Sequence, residues 1–173
     1  EQYLYIEKAG TIYSAPIGEV EIVKLTSPVN SGYFDCVLVN LPIPPFRDIT
    51  EHFVAEANLE AAIKNRAMLA TRKDSIEMTV MEENLRLVNS TSYKHTDHEG
   101  KEISLTTGRS IIATASTLYG QCGGGLVSTN TKVKTPILGV HVAGGVGQST
   151  TAVVTIEMLN EAMEPNSQMQ GLW

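Results

Sequence analysis

What most restricts the fold of this chain is that its apolar residues come in short alternating runs cut by turn residues. Ile76-Glu-Met-Thr-Val-Met81 alternates cleanly, and so does Glu19-Val-Glu-Ile-Val-Lys-Leu25; a period of two marks a strand with one face buried. Further strands are expected at Tyr3 to Ile6, Thr11 to Tyr13, Leu85 to Val88, Glu102 to Thr106, Ser110 to Ala115, Leu126 to Ser128, Ile137 to Ala143 and Thr151 to Ile156. Asp97-His-Glu-Gly100 has the composition of a hairpin tip. Tyr33-Phe-Asp-Cys-Val-Leu-Val-Asn-Leu41 is β-rich and apolar on both faces, which predicts a central buried strand. Many short strands with frequent turns imply an all-β domain.

Pro42, Pro44 and Pro45 end that strand, since proline cannot donate to a ladder. Glu51 to Ile63 then permits a helix with Phe53, Ala57, Leu59 and Ala61 on one side. The chain therefore divides into a β-unit over residues 1–41, a connector with a helix over 42–66, a second β-unit with a C-terminal helix over 67–164, and a tail over 165–173. Glu157 to Met163 supplies that last helix.

Composition narrows the functional classes. With 42% hydrophobic and 18% charged residues the chain is globular in type, and no apolar run approaches the roughly 18 residues that cross a bilayer. A net charge of −6 gives no whole-surface attraction for nucleic acid, so any RNA contact must be a local patch. Two cysteines, Cys36 and Cys122, make no disulfide framework and suit a reducing compartment.

Cys122 lies in Tyr119-Gly-Gln-Cys-Gly-Gly-Gly125. Glycines around a thiol let the backbone adopt unusual dihedrals and present N–H groups, which is what an oxyanion hole requires. On this stretch alone, a buried cysteine beside a glycine turn is an equally good reading. His141, nineteen residues on, lies in Gly139-Val-His-Val-Ala-Gly144; a single histidine in an apolar strand is usually a core residue. Asp35 sits inside the β-rich segment at 33–41, either as a carboxylate with a partner or near a solvated strand end.

Taken together, Gly120-Gln-Cys-Gly-Gly124 followed by Gly139-Val-His-Val-Ala-Gly144 resembles the chymotrypsin-like 3C-type cysteine proteases of picornaviruses and picorna-like viruses. Phe34-Asp-Cys-Val-Leu-Val-Asn-Leu41 running into Phe46-Arg-Asp-Ile49 is similar to the family's acid-bearing strand and Phe-Arg-Asp-Ile segment. Its continuation Thr50-Glu-His-Phe53 looks closest to the picorna-like viruses of invertebrates. The resemblance covers roughly residues 19–160.

The resemblance implies two six-stranded antiparallel β-barrels, the first incomplete, joined by a short helix. It implies a polyprotein-processing endopeptidase of the host cytoplasm that cleaves after glutamine by nucleophilic acyl transfer, with no cofactor or metal. Cys122 matches the nucleophile and Asp35 the third catalytic member, with the N–H groups of Gly120, Gln121 and Cys122 as the oxyanion hole. Thr117 and His141 match the walls of the glutamine pocket, where a hydroxyl and a neutral imidazole can both donate to the substrate carboxamide oxygen. Val142, Ala143 and Gly144 match the strand that pairs with substrate backbone. Gln170-Gly171 in the tail is the kind of junction such a pocket selects.

The chain departs from this pattern in three places. Relatives carry the general-base histidine about 30 residues before the acid, yet the four histidines here are His52, His95, His98 and His141. The reading is that an N-terminal segment bearing the base is missing and that the fragment is inactive or nearly so. His52 reads as a surface helical residue, and His95 and His98 with Asp97 and Glu99 as a solvated turn rather than a metal site. Ala113 stands where some relatives have the tyrosine that orients the pocket histidine, so nothing in the sequence fixes the tautomer of His141. Finally, Arg47 with Lys132 and Lys134 makes an alternative role conceivable, an RNA-binding module on the same fold, because phosphate contacts need only charge; Arg47 reads equally well as an interdomain salt-bridge residue.

Overall fold

The computed structural model describes residues 2–29, 36–73 and 76–164. Its centre is a closed antiparallel barrel of six strands: β5 (Ala67–Lys73), β6 (Ile76–Val88), β9 (Ser110–Thr114), β10 (Gly125–Ser128), β11 (Ile137–Gly144) and β12 (Ser149–Val153), in the order β10-β11-β12-β9-β6-β5. Closure gives every strand two neighbours, although β11 runs on past its pairing with β10, which ends at Val140. The strands β7 (Thr91–Thr96) and β8 (Glu102–Thr107) form a separate hairpin. Its tip is the expected one: Asp97 Oδ1 accepts from the N–H groups of Glu99 at 2.9 Å and Lys101 at 2.8 Å.

The barrel core is Leu69, Ile111, Leu126, Leu138 and Val153, with Val54, Leu59, Ala62 and Ala67 sealing one side. The segments expected as Ile76 to Met81 and Leu85 to Val88 are one strand, β6. The pairing of β6 with β9 shifts register between Glu83 and Arg86, and Asn84 there has φ +53°. This bulge moves the inward phase from Met78, Val80 and Glu82 to Leu85 and Leu87.

N-terminal to the barrel, β1 (Tyr3–Lys8) and β2 (Thr11–Pro16) make one hairpin, and β3 (Glu21–Lys24) and β4 (Val37–Asn40) a second pair. Ala9 and Gly10 both have positive φ, as the two-residue turn of β1 and β2 requires. Neither pair joins the barrel sheet. The described part of the segment 33–41 is accordingly not a central buried strand: among the described residues β4 has β3 as its one neighbour, and Val37 and Val39 are exposed.

The connector is less helical than its composition suggests. It contains 3-10 turns at Thr50–His52 and Glu56–Asn58 and a four-residue helix, α1 (Leu59–Ala62). The helix is interrupted because the backbone at Phe53 and Val54 pairs with β11 instead: Phe53 bridges Ile137, and Val54 N–H donates to the Ile137 carbonyl at 2.8 Å. The C-terminal helix α2 (Ile156–Met163) starts at Thr155, whose hydroxyl accepts from Met158 N–H. It buries Met158, Leu159 and Ala162 with Leu25 and Val154, against Val23, Cys36 and Leu38. Among the described residues, no helix is long and apolar enough to cross a membrane.

Candidate active site

The loop between β9 and β10 carries Cys122. Gly120 and Gly123 both have φ +91°, a conformation that L side chains rarely adopt, so the two glycines flanking Gln121-Cys122 are required by the backbone itself. Gly124 is required by packing, since a Cβ there would come within 2.8 Å of the Ala70 carbonyl oxygen. The loop is pinned beneath by Gln121, which is 1% exposed. Its Oε1 accepts from Leu118 N–H at 2.6 Å, and its carbonyl accepts from the Thr71 hydroxyl at 3.3 Å.

Behind the loop runs β11. Gly123 N–H donates to the His141 carbonyl at 2.9 Å, and His141 N–H donates to the Gly124 carbonyl at 2.8 Å. These reciprocal bonds fix the cysteine loop to the histidine strand. The register between β11 and β12 shifts between His141 and Ala143, so Val142 is a bulge. Its carbonyl is turned toward the thiol: Cys122 Sγ, exposed, donates to Val142 O at 3.3 Å. Bulges re-aim groups beside functional sites in this way.

Thr117 and His141 meet at Gly144. A Cβ on Gly144 would lie 2.0 Å from Thr117 Oγ1 and 3.2 Å from His141 Cε1, so the missing side chain makes the space between hydroxyl and imidazole. The Thr117 backbone is anchored by its N–H to the Gly145 carbonyl at 3.1 Å. His141 is 2% exposed, and burial pushes its imidazole below the ordinary histidine range, toward the neutral form. A neutral ring is what a carboxamide pocket needs, because a cation would select a carboxylate.

One contact was not legible in the sequence. His141 Nδ1 lies 3.2 Å from Ser149 Oγ, and Ser149 Oγ lies 2.5 Å from Glu82 Oε1. Glu82 is completely buried, and its Oε2 has no hydrogen-bond partner. Burial raises its carboxyl above the ordinary glutamate range, partly offset by the Ser149 hydrogen bond. The position of Glu82 carried a signal, because it shares the inward phase of Met78 and Val80 on β6. Ala113, where some relatives carry tyrosine, faces Ser149 across the β9–β12 pair, so the small residue there sits opposite the serine that contacts the imidazole.

The other expected residues are placed as follows. Of the three N–H groups expected to hold an oxyanion, that of Gln121 donates to the Leu118 carbonyl at 3.2 Å and closes a turn. Val142 and Ala143 are half-buried and Gly144 exposed, along the outer part of β11. Arg47, Lys132 and Lys134 are exposed. Arg47 enters none of the ion pairs among the described residues. His52 lies in the first 3-10 turn, and His95 on β7; His98 is 3.9 Å from Glu99 at the hairpin tip. Asp35, Gln170 and Gly171 lie outside the described residues.

By fold and site this is a domain built on a closed six-stranded antiparallel β-barrel, with an exposed, glycine-framed cysteine on the loop before β10 and a buried histidine on β11. In sequence it is 39% identical over 171 residues, 98% of its length, to the genome polyprotein of avian encephalomyelitis virus (strain Van Reokel). It is 37% identical over 155 residues, 89% of its length, to that of human hepatitis A virus genotype IIIB. The chain spans only 8% and 7% of those polyproteins. It is thus homologous to a segment of picornavirus genome polyproteins. Neither relative is an invertebrate virus by name. No family model matches the chain. A solved structure of HRV-C 3C protein with rupintrivir overlaps 70% of this chain and 58% of its own, with a TM-score of 0.40 and 18% identity; nothing below rests on it.

Proposed function

We propose that this chain belongs to a cysteine endopeptidase that processes a viral polyprotein after glutamine, in the cytoplasm of the host cell. The observation that carries the reading is the meeting of Thr117 and His141 around Gly144, one strand away from the exposed Cys122 thiol. A substrate glutamine placed there presents its carboxamide oxygen to the threonine hydroxyl and the imidazole N–H. Substrate backbone pairs along Val142, Ala143 and Gly144, which places the scissile carbonyl at Cys122. Sulfur attacks the carbonyl carbon, backbone N–H groups of the glycine loop hold the oxyanion, and the amine leaves with a proton; water then hydrolyses the thioester. Asp35 is the orienting acid for the base in this scheme.

The placed histidines do not supply that base. His141 belongs to the pocket, His52 to the connector, and His95 and His98 to the β7–β8 hairpin. Residues 1–173 alone therefore turn over glutamine peptides about 10²–10⁴-fold more slowly than a relative with a positioned base. Gln170-Gly171 is proposed as a cleavage junction for a complete homologous protease.

The test is labelling by a peptide electrophile. One with glutamine before the reactive carbon should modify Cys122 at least about tenfold faster than its glutamate counterpart, and Cys36 should not share the preference. Equal labelling of both cysteines, or indifference to glutamine, would overturn the reading. The exposed Arg47, Lys132 and Lys134 support a second role in RNA binding; Arg47→Ala should then lower the salt slope of an RNA titration by about one.

A further inference from the structure

In the barrel, β10 lies between β11 and β5. The cysteine loop that leads into β10 touches both neighbours: Gly123 N–H donates to the His141 carbonyl on β11, and Gly124 packs against Ala70 and Thr71 of β5. Thr117, His141 and Gly144 meet on the β11 side. On the β5 side a cleft of about 510 Å³ opens beside Cys122, walled by Ala70 and Arg72 of β5, Glu77 and Met78 of β6, and the loop from Cys122 to Gly125. An extended peptide that lies along β11 up to its glutamine and crosses Cys122 leaves by this cleft.

The chemistry of the cleft is set by Arg72. Glu77 stands directly opposite it across the β5–β6 pair, and Glu7 of β1 approaches its guanidinium at 3.4 Å. One guanidinium between two carboxylates has no positive charge to spare for an acidic side chain, but its planar face and aliphatic stem stay available to apolar and aromatic groups. Met78 and Ala70 add apolar surface on the near side. On the far side, Tyr3 and Tyr5 share the face of β1 with Glu7, and Ile12 is the cross-strand partner of Glu7. Tyr5 is 69% and Ile12 71% exposed, and the Tyr3 and Tyr5 rings are 6.5 Å apart. Apolar surface thus runs from the cysteine loop past Arg72 to the first hairpin.

We propose that this cleft receives the residues that follow the scissile bond, and that Arg72, steadied by Glu7, selects an apolar segment with an aromatic residue there. The direction of the peptide rests on the glutamine-pocket reading; the chemistry of the cleft does not. The occupant it fits is Gly171-Leu172-Trp173 from a second copy of the chain, the segment after the proposed junction. Three extended residues span about 10 Å. Leu172 enters between Ala70 and Met78, and Trp173 lies on the Arg72 guanidinium, an arrangement in which cation and ring attract.

The experiment is peptide binding, with methyl spectra of the methionines, on residues 1–173 carrying Leu172→Ala and Trp173→Ala, which keep the chain's own tail out of the cleft. Three peptides are compared: Asn-Ser-Gln-Met-Gln followed by Gly-Leu-Trp, the same followed by Gly-Ala-Ala, and the first with glutamate before glycine. The first should bind about tenfold tighter than the second and alone should shift the Met78 methyl. Arg72→Ala should remove most of that preference, and Glu7→Gln should lower it by about twofold. Equal affinity of the first two peptides, an unmoved Met78 methyl, or a preference unchanged in Arg72→Ala would overturn the cleft even if glutamine is preferred to glutamate. A preference for Leu-Trp that Arg72→Ala removes, with indifference between glutamine and glutamate, upholds the cleft and leaves the glutamine pocket as the part that fails. A Met78 shift that follows protein concentration instead of peptide would assign the cleft to another surface of a second copy and overturn the proposal.

Discussion

The two β-regions of this chain start from similar local patterns and end in different states. Glu19 to Leu25 alternates as cleanly as Ile76 to Met81, yet β3 pairs with β4 alone, whereas β6 closes a six-stranded barrel. In the N-terminal pairs Ile12, Ile22 and Val37 stand exposed, while Ile111, Leu126 and Leu138 in the barrel are fully buried. Alternation thus determines that a segment is a strand; closure determines whether its apolar face is covered. Glu82, His141 and Ser149 all lie on strands of the closed barrel. The C-terminal helix packs Met158 and Leu159 against Leu25 of the N-terminal region, and Arg72 of β5 pairs with Glu7 of β1.

The contrast can be broken most severely inside the barrel. A Cβ at Gly139 would overlap the Ala152 carbonyl oxygen at 1.9 Å, so Gly139→Ala should cost about 3 kcal/mol or more in denaturant unfolding as β11 separates from β12. An intermediate effect is expected at Glu82. Its carboxyl is raised on folding, so its contribution to stability is complete below the ordinary glutamate range and is lost as pH rises through the folded value, with a slope of at most about 1.4 kcal/mol per pH unit. His141 has the opposite sense: its imidazole is lowered, and its contribution is lost as pH falls below the ordinary histidine range. Glu82→Gln should therefore remove the alkaline loss and leave the acid loss, measured by unfolding at a series of pH values. Thr155→Ala removes the cap of the helix that links the regions and should cost about 1 kcal/mol. The smallest effect belongs to the N-terminal pairs, where Ile22→Thr should change stability by no more than about 0.5 kcal/mol.

Much of the site was legible because its chemistry is local in sequence. The glycines around Cys122 announce their positive φ values, and Thr117 and His141 sit at fixed distances from the cysteine. What could not be read was set by register. The bulge at Val142 that aims a carbonyl at the thiol, and the meeting of Ser149 with His141, depend on how β11 slides against β12. Glu82 reads as one more charged residue in Met81-Glu82-Glu83, and its inward phase becomes significant only when Ser149 is found opposite. The connector misled for a related reason: Phe53 and Val54 have helical neighbours, but β11 offers them backbone partners.

The most direct measurement is equilibrium binding of two short peptides, identical but for a terminal glutamine or glutamate, to residues 1–173. The glutamine peptide should bind at least about tenfold tighter, a difference of about 1.4 kcal/mol, and Thr117→Val should abolish most of that preference without unfolding the barrel. Equal affinity for the two peptides, or a preference unchanged in Thr117→Val, would contradict a pocket formed by Thr117 and His141 around Gly144.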